Sequence, residues 1–265
     1  MRPLTTTAST DLPPRDTYDL VVIGAGAVGE NVADRAVQGG LSVLIVEGEL
    51  VGGECSYWAC MPSKALLRAG SVQRAAHAVA GARGPAGAGA VDARAVLARR
   101  DEIAAHWDDA GQVRWLQKAG IALARGHARL DGERRVVITA ADGGTRTVTA
   151  SHAVAVCTGS IAAMPPIPGL AAARPWTSRE ITSTESVPRR LAIIGGGVVG
   201  CEMATAFTSL GSRVTLLARS ALLADVEPFA GEAVAARLRE DGAEVLERTS
   251  PERVDRRDDG TVTLT

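Results

Sequence analysis

Apolar runs of strand length, each passing through glycines into a helix-forming stretch, set the grammar of this chain. Tyr18 to Ile23 (YDLVVI) leads directly into Gly24-Ala25-Gly26-Ala27-Val28-Gly29, and Glu30 to Gln38 then reads as a helix. Gly39-Gly40 ends that helix, and Leu41 to Val46 (LSVLIV) forms the next strand. Glu47 stands at its end, 18 residues beyond Gly29. The same order returns at Arg190: a strand Leu191 to Ile194, the turn Gly195-Gly196-Gly197-Val198-Val199-Gly200, a helix to Leu210, then Gly211 and a strand Arg213 to Leu217. A strand–turn–helix–strand unit seen twice, about 170 residues apart, predicts an α/β protein that repeats its nucleotide fold.

Between the two units, Ala65 to Ala119 is Ala-rich and helix-favouring, broken by a Gly-rich loop from Gly81 to Gly89. After Gly120 the pattern turns to short β-prone segments: Ile121 to Ala124, Val136 to Thr139, Thr145 to Thr149 and Ala153 to Val156. The turn signals Asp131-Gly132 and Asp142-Gly143-Gly144 separate them, which predicts a small meander returning to the main sheet. Pro165, Pro166 and Pro168 favour an extended crossing and mark a domain boundary. The expected organisation is a disordered tail over 1–17, a first domain over 18–168 and a second over 169–265. The second ends on a strand, an Asp259-Gly260 turn and another strand (Val254 to Thr265), so it is expected to be incomplete.

Composition narrows the partners. A chain of 265 residues with net charge -1 offers no basic patch for nucleic acid or an anionic membrane. Neither a secretory signal nor a membrane span stands out, and a cytoplasmic location is expected. Of the four cysteines, Cys157 and Cys201 are isolated inside apolar runs and read as small buried hydrophobes. No zinc-like pair of cysteine pairs occurs, and no metal site is expected.

Each glycine turn has a mechanical reading. Gly24 and Gly195 permit the tight turn, Gly26 and Gly197 let the backbone approach a pyrophosphate, and Gly29 and Gly200 let helix and strand pack closely. The helix start then offers amide donors and the positive end of its dipole to the phosphates. Glu47 suits an unphosphorylated ribose, as in FAD or NAD. The matching place in the second unit holds Ala218 and Arg219 with no acid, and a guanidinium there favours a 2′-phosphate. NADPH is therefore expected at the second site, with NADH the alternative.

Gly52-Gly53-Glu54-Cys55-Ser56-Tyr57-Trp58-Ala59-Cys60-Met61-Pro62-Ser63-Lys64 follows the first unit almost at once. With both glycine turns, Glu47, Val156-Cys157-Thr158-Gly159-Ser160 running on to Pro166-Ile167-Pro168-Gly169, and Glu202, the whole chain resembles the pyridine nucleotide-disulfide oxidoreductases. That family includes dihydrolipoyl dehydrogenase, glutathione reductase and mercuric reductase. Glu54 and Ser56-Tyr57-Trp58-Ala59 depart from its commoner wording.

The resemblance implies two Rossmann-like domains, with FAD in the first and NAD(P)H at the second, and two-electron transfer from nicotinamide through flavin to a redox-active Cys55/Cys60 disulfide. Cys60 would be the thiol against the flavin and Cys55 the interchange thiol; a helix start favours a thiolate. Lys64 would point at the flavin and pair with Glu202. Gly53, Gly126, Thr158, Gly159 and Ser160 match family positions that touch FAD. The family's His–Glu acid/base pair lies in a C-terminal dimerisation domain, and His77, His106, His127 and His152 match no such motif. A disulfide, a metal ion or a quinone remains open as substrate. A homodimer is expected of the full-length family. The competing expectation is a truncated, catalytically incompetent nucleotide-binding fragment.

Overall fold

The computed structural model describes Pro13, Arg15–Ala82 and Ala90–Thr265. Residues 1–12 and 14 of the expected tail and most of the Gly81 to Gly89 loop lie outside the described residues. The described chain forms two compact units, and these do not follow chain order. One contains residues up to 60 together with 104–161; the other contains 61–103 together with 162–265.

The first unit is built on a six-stranded sheet. Its strands are β1 (Thr17–Ile23), β2 (Val43–Glu47), β3 (Ala122–Arg125), β4 (His127–Leu130), β5 (Arg135–Thr139) and β6 (Thr145–Val156), in the order β3-β2-β1-β6-β5-β4. β3, β2, β1 and the end of β6 run parallel, while β4, β5 and the start of β6 form an antiparallel meander. Helix α1 (Ala27–Gln38) crosses from β1 to β2. It buries Ala33 against Val22, Val43 and Ile45 on one face of the sheet. Val21, Leu44, Val136 and Ile138 pack on the other. Alternate residues of buried strands thus serve two separate cores, which is why these runs are apolar throughout.

Two corrections to the pattern reading concern the meander. β4 is a strand that the sequence did not announce: it is only four residues long and mostly exposed, too short for its alternation to stand out. The two short segments expected at Thr145 to Thr149 and Ala153 to Val156 are one twelve-residue strand. What looked like a break at Ala150-Ser151-His152 is an irregularity in register, where Tyr18 pairs with Ala150 but Leu20 with Ala153. A bulge of this kind absorbs extra residues without ending the strand. It lets β6 pass from antiparallel pairing with β5 to parallel pairing with β1.

The second unit carries a three-stranded parallel sheet of β7 (Arg190–Ile194), β8 (Arg213–Ala218) and β9 (Glu244–Glu247), in that order. α7 (Val198–Ser209) and α8 (Pro228–Glu240) provide its crossovers. The pair β10 (Val254–Arg256) and β11 (Val262–Leu264) closes on itself, antiparallel, around the expected Asp259-Gly260 turn. Helix α3 (Cys60–Ala78) puts Leu66 into the same core as Met203 and Phe207 of α7. A Cβ on Gly70 of α3 would lie 2.6 Å from the Ser209 side chain, so only a glycine lets the two helices approach this closely. Arg100 of α4 (Ala93–Ile103) is fully buried. It donates to the Thr182 carbonyl and, at 2.7 Å, to that of Thr184, closing the C-terminal end of α6 (Ser178–Ser183). No helix among the described residues is long and apolar enough to cross a membrane.

Candidate functional site

The first glycine turn is fixed by contacts that leave no room for side chains. Gly24 has φ 99°, and a Cβ there would lie 2.3 Å from the Cys157 carbonyl oxygen; one on Gly29 would lie 1.9 Å from the carbonyl oxygen of Gly24. Gly26 differs, since a Cβ on it would meet nothing within 4 Å. It is the N-cap of α1, and no side chain caps the helix. The turn therefore presents uncommitted first-turn amides to open space, the arrangement that receives a phosphate.

Glu47, at the end of β2, accepts a hydrogen bond from the Ala25 amide at 2.7 Å and one from the Glu49 amide at 2.7 Å. The carboxylate is thereby held beside the turn while part of its acceptor capacity stays open to a ribose. Glu30, within α1 beside Glu47, is a residue that the sequence reading did not single out. Its Oε1 is buried without a hydrogen-bond partner, and burial together with the neighbouring Glu47 pushes its carboxyl up to about 7. A carboxylate directly after a glycine turn was the available signal, but its burial is a tertiary fact.

The cysteine segment is hung from the same turn. Gly52 donates to the Ala25 carbonyl at 2.7 Å, and Gly53, at φ 56°, lies so close to Gly26 that a Cβ would stand 2.8 Å from the Gly26 Cα. The pair Gly52-Gly53 thus brings α2 (Gly53–Tyr57), which carries Cys55, against the phosphate turn. Cys60 is exposed at the first position of α3, Cys55 is half-buried, and both carry thiols.

The unusual residues between them are structural. Tyr57 and Trp58 are buried and meet edge to face, with ring centroids 5.7 Å apart. They join Leu50, Ala104 and Trp107 in one cluster. The Tyr57 hydroxyl donates to the Val51 carbonyl at 3.1 Å, and burial raises its pKa, so it remains a donor. Trp107 reaches this cluster from a left-handed turn in which Ala105, His106 and Trp107 have φ of 48°, 51° and 59°. Such a turn costs about 1–2 kcal/mol per residue for non-glycine positions. Burial of the indole, 3% exposed, offsets that cost.

The second glycine turn repeats the first. A Cβ on Gly200 would lie 2.0 Å from the Gly195 carbonyl oxygen, whereas one on Gly197 would meet nothing within 4 Å. Gly197 is the N-cap of α7, again without a side-chain cap. A groove of about 1050 Å³ borders it, with Gly195, Gly197, Gly200, Trp176 and Met203 among its walls. Arg219 follows β8 directly and is exposed. Burial, with a smaller contribution from Glu202, pushes the Cys201 thiol up to about 11, in keeping with its reading as a buried hydrophobe. Cys157 is only half-buried, and desolvation raises its thiol as well.

Lys64 on α3 and Glu202 on α7 belong to the same compact unit, and no ion pair joins them among the described residues. Gly126 needs no ligand to explain it, because a Cβ there would lie 2.4 Å from the Thr139 carbonyl oxygen. Thr158, Gly159 and Ser160 are exposed beyond the end of β6. No cluster of three or more potential metal ligands occurs among the described residues.

Comparison with known proteins agrees with this architecture. Residues 18–265 match the family described as pyridine nucleotide-disulphide oxidoreductase. A mercuric reductase of Acidithiobacillus ferrooxidans is 37% identical over 242 residues, covering 89% of this chain and 43% of the relative. A dihydrolipoyl dehydrogenase of Acholeplasma laidlawii is 30% identical over 247 residues, covering 90% of this chain and 70% of the relative. Among solved structures, the HOCl-induced flavoprotein disulfide reductase RclA from Escherichia coli shares the fold with a TM-score of 0.77 at 22% identity, covering 94% of this chain and 53% of that one. The chain spans less than half the length of the mercuric reductase. Two glycine turns of one design, a carboxylate at the end of β2 and a cysteine segment anchored on the first turn are thus matched by a family likeness over nearly the whole chain, which belongs to the pyridine nucleotide-disulphide oxidoreductases.

Proposed function

We propose that this chain carries the flavin-, disulfide- and nicotinamide-binding parts of an FAD-dependent NAD(P)H:disulfide oxidoreductase. The observation that carries the reading is the anchoring of the cysteine segment on the first glycine turn through Gly52, Gly53, Ala25 and Gly26. A ligand whose pyrophosphate occupies that turn is thereby adjacent in the fold to Cys55 and Cys60. FAD, when bound, supplies the two-electron carrier that a protein of ordinary side chains lacks.

The residues present fit that group. The open face of Gly26 and the uncapped start of α1 receive the pyrophosphate, and Glu47 accepts from the ribose hydroxyls. Reduction of a Cys55–Cys60 disulfide consumes two electrons and two protons and leaves two thiols. In its thiolate form Cys55 then attacks a substrate disulfide and expels one substrate thiol, and Cys60 displaces the second from the mixed disulfide as the Cys55–Cys60 bond re-forms; alternatively the dithiol binds a soft metal ion. The substrate class is therefore a thiol-reactive two-electron acceptor, consistent with relatives named mercuric reductase and dihydrolipoyl dehydrogenase. Arg219 favours NADPH over NADH at the second turn. Lys64 and Glu202 are assigned a paired role in the flavin-loaded protein, and the working enzyme is a soluble homodimer.

The test is a visible spectrum of the purified chain with FAD, recorded anaerobically before and after NADPH. A yellow protein that gains long-wavelength absorption on reduction, with that absorption lost in Cys60→Ser while flavin is retained, is the expected result. A chain that stays colourless in excess FAD rejects the cofactor assignment, and an unchanged reduced spectrum in Cys60→Ser rejects the role of that thiol.

A further inference from the structure

The first glycine turn holds two carboxyl groups where the nucleotide-binding design needs one. Glu47 accepts from two backbone amides. Glu30 lies in the first turn of α1, its Oε1 buried with no donor to meet it. The titratable group that acts on it is Glu47 from β2, while the hydroxyl of Tyr57 on α2 feels the Glu30 charge. No cation pairs with Glu30 among the described residues. Of two neighbouring carboxyls, the buried one that no donor meets is the one to take a proton.

We propose that Glu30 is the protonated member of this pair when the dinucleotide is bound, so that FAD is taken up together with a proton and released as the pH rises. The inference rests on the FAD assignment above and concerns a residue for which that assignment has no role. The start of α1 favours an anion, but the same helix end is where the pyrophosphate binds. Glu30 and Glu47 both charged would add two negative groups beside two phosphates in a partly buried site. A protonated Glu30 removes one of them and turns an unpartnered acceptor into a hydrogen-bond donor. The proton is thus held more tightly with FAD than without it, and by linkage the flavin is held more tightly at lower pH.

The unfilled carboxyl is already poised for this, since burial and Glu47 place it at about 7 in the chain without ligand. Below that pH Glu30 is protonated in both states and FAD affinity is flat. Above it, each pH unit weakens binding by up to about tenfold, until the proton is lost from the complex as well.

The experiment is a fluorescence-quench titration of the apoprotein with FAD between pH 6 and pH 9, on the unmodified chain and on Glu30→Gln. The dissociation constant of the unmodified chain is expected to rise by about tenfold or more across the range. Glu30→Gln is expected to match it at pH 6 and to stay flat. His127 stands over Gly48, whose added Cβ would lie 3.0 Å from the imidazole, so a Glu30→Gln protein that keeps the full slope would assign the effect elsewhere and overturn the proposal. A flat profile in the unmodified chain overturns it too, while leaving the FAD assignment standing. No binding at any pH overturns both. Proton uptake on FAD addition at pH 8 in weak buffer needs no variant: about 0.4 proton per flavin or more is expected, rising toward one with the steepness of the affinity change, and none contradicts the proposal.

Discussion

The carboxylate of Asp109, fully buried at the start of α5 (Ala110–Ala119), accepts from the Arg125 guanidinium at 2.5 Å and from the Val51 amide at 2.8 Å. Arg125 also donates to the Glu49 carbonyl at 2.9 Å. One acid at the N-cap of α5 and one base at the end of β3 thus clamp the loop between Glu47 and the cysteine segment. Asp109→Ala would leave the guanidinium and the amide without their acceptor, and removing one partner of a buried pair costs about 3–5 kcal/mol. Urea unfolding should register a loss near the lower figure, because Arg125 is slightly exposed. A change below about 1 kcal/mol, the size of a surface pair, would show that the clamp contributes nothing special.

The glycines of the first turn are expected to separate folding from binding. Gly29→Ala forces a Cβ against the Gly24 carbonyl and should destabilise the fold itself, seen as a lowered thermal midpoint. Gly26→Ala has room for its methyl group and should unfold like the unmodified chain, yet bind FAD at least tenfold more weakly, because the methyl occupies the pyrophosphate's approach. Unimpaired FAD binding in Gly26→Ala would place the dinucleotide elsewhere.

At the second turn, Arg219→Ala should lower the preference for NADPH over NADH in flavin reduction by about tenfold, the loss of one guanidinium–phosphate contact. Stopped-flow reduction with both nucleotides reads the ratio, and an unchanged ratio would remove Arg219 from the site.

Asp19 joins three strands. Its carboxylate accepts from the Ser42 hydroxyl and amide at 2.7 and 2.9 Å and from the Ser151 hydroxyl at 2.8 Å. The Ser42 bonds, above all, hold it down to about 2 from its usual 3.8. A depressed carboxyl stabilises the fold above its unfolded value and loses that contribution as the pH falls through the folded one. Asp19→Asn should therefore be less stable than the unmodified chain at pH 5, with the difference shrinking between about 4 and 2. A difference constant across that range in denaturant midpoints would show that the charge is not what matters.

The places where the sequence pattern misled share a cause. Ala150-Ser151-His152 is polar and small enough to read as a loop, but pairing of β6 with β5 on one side and β1 on the other carries the strand through it as a bulge. His127–Leu130 gives only a weak signal because it is four residues long and mostly exposed, with Ala128 alone packed against the core, and it is held as a strand by pairing with β5. The turn at Ala105–Trp107 lies in a stretch that composition marks as helical, and burial of Trp107 overrides that local preference.

Cys55 and Cys60 show the same division from the other side. The glycine turns, Glu47 and the cysteine spacing were legible in the sequence, because each is a local requirement of backbone geometry or chemistry that a few neighbouring residues satisfy. The anchoring of Gly52-Gly53 on Gly26, the clamp of Asp109 on Arg125 and the burial of Glu30 beside Glu47 were decided only by the tertiary structure. Each depends on which distant segments share a space, and on how far that shared space excludes the water that would otherwise solvate a charge.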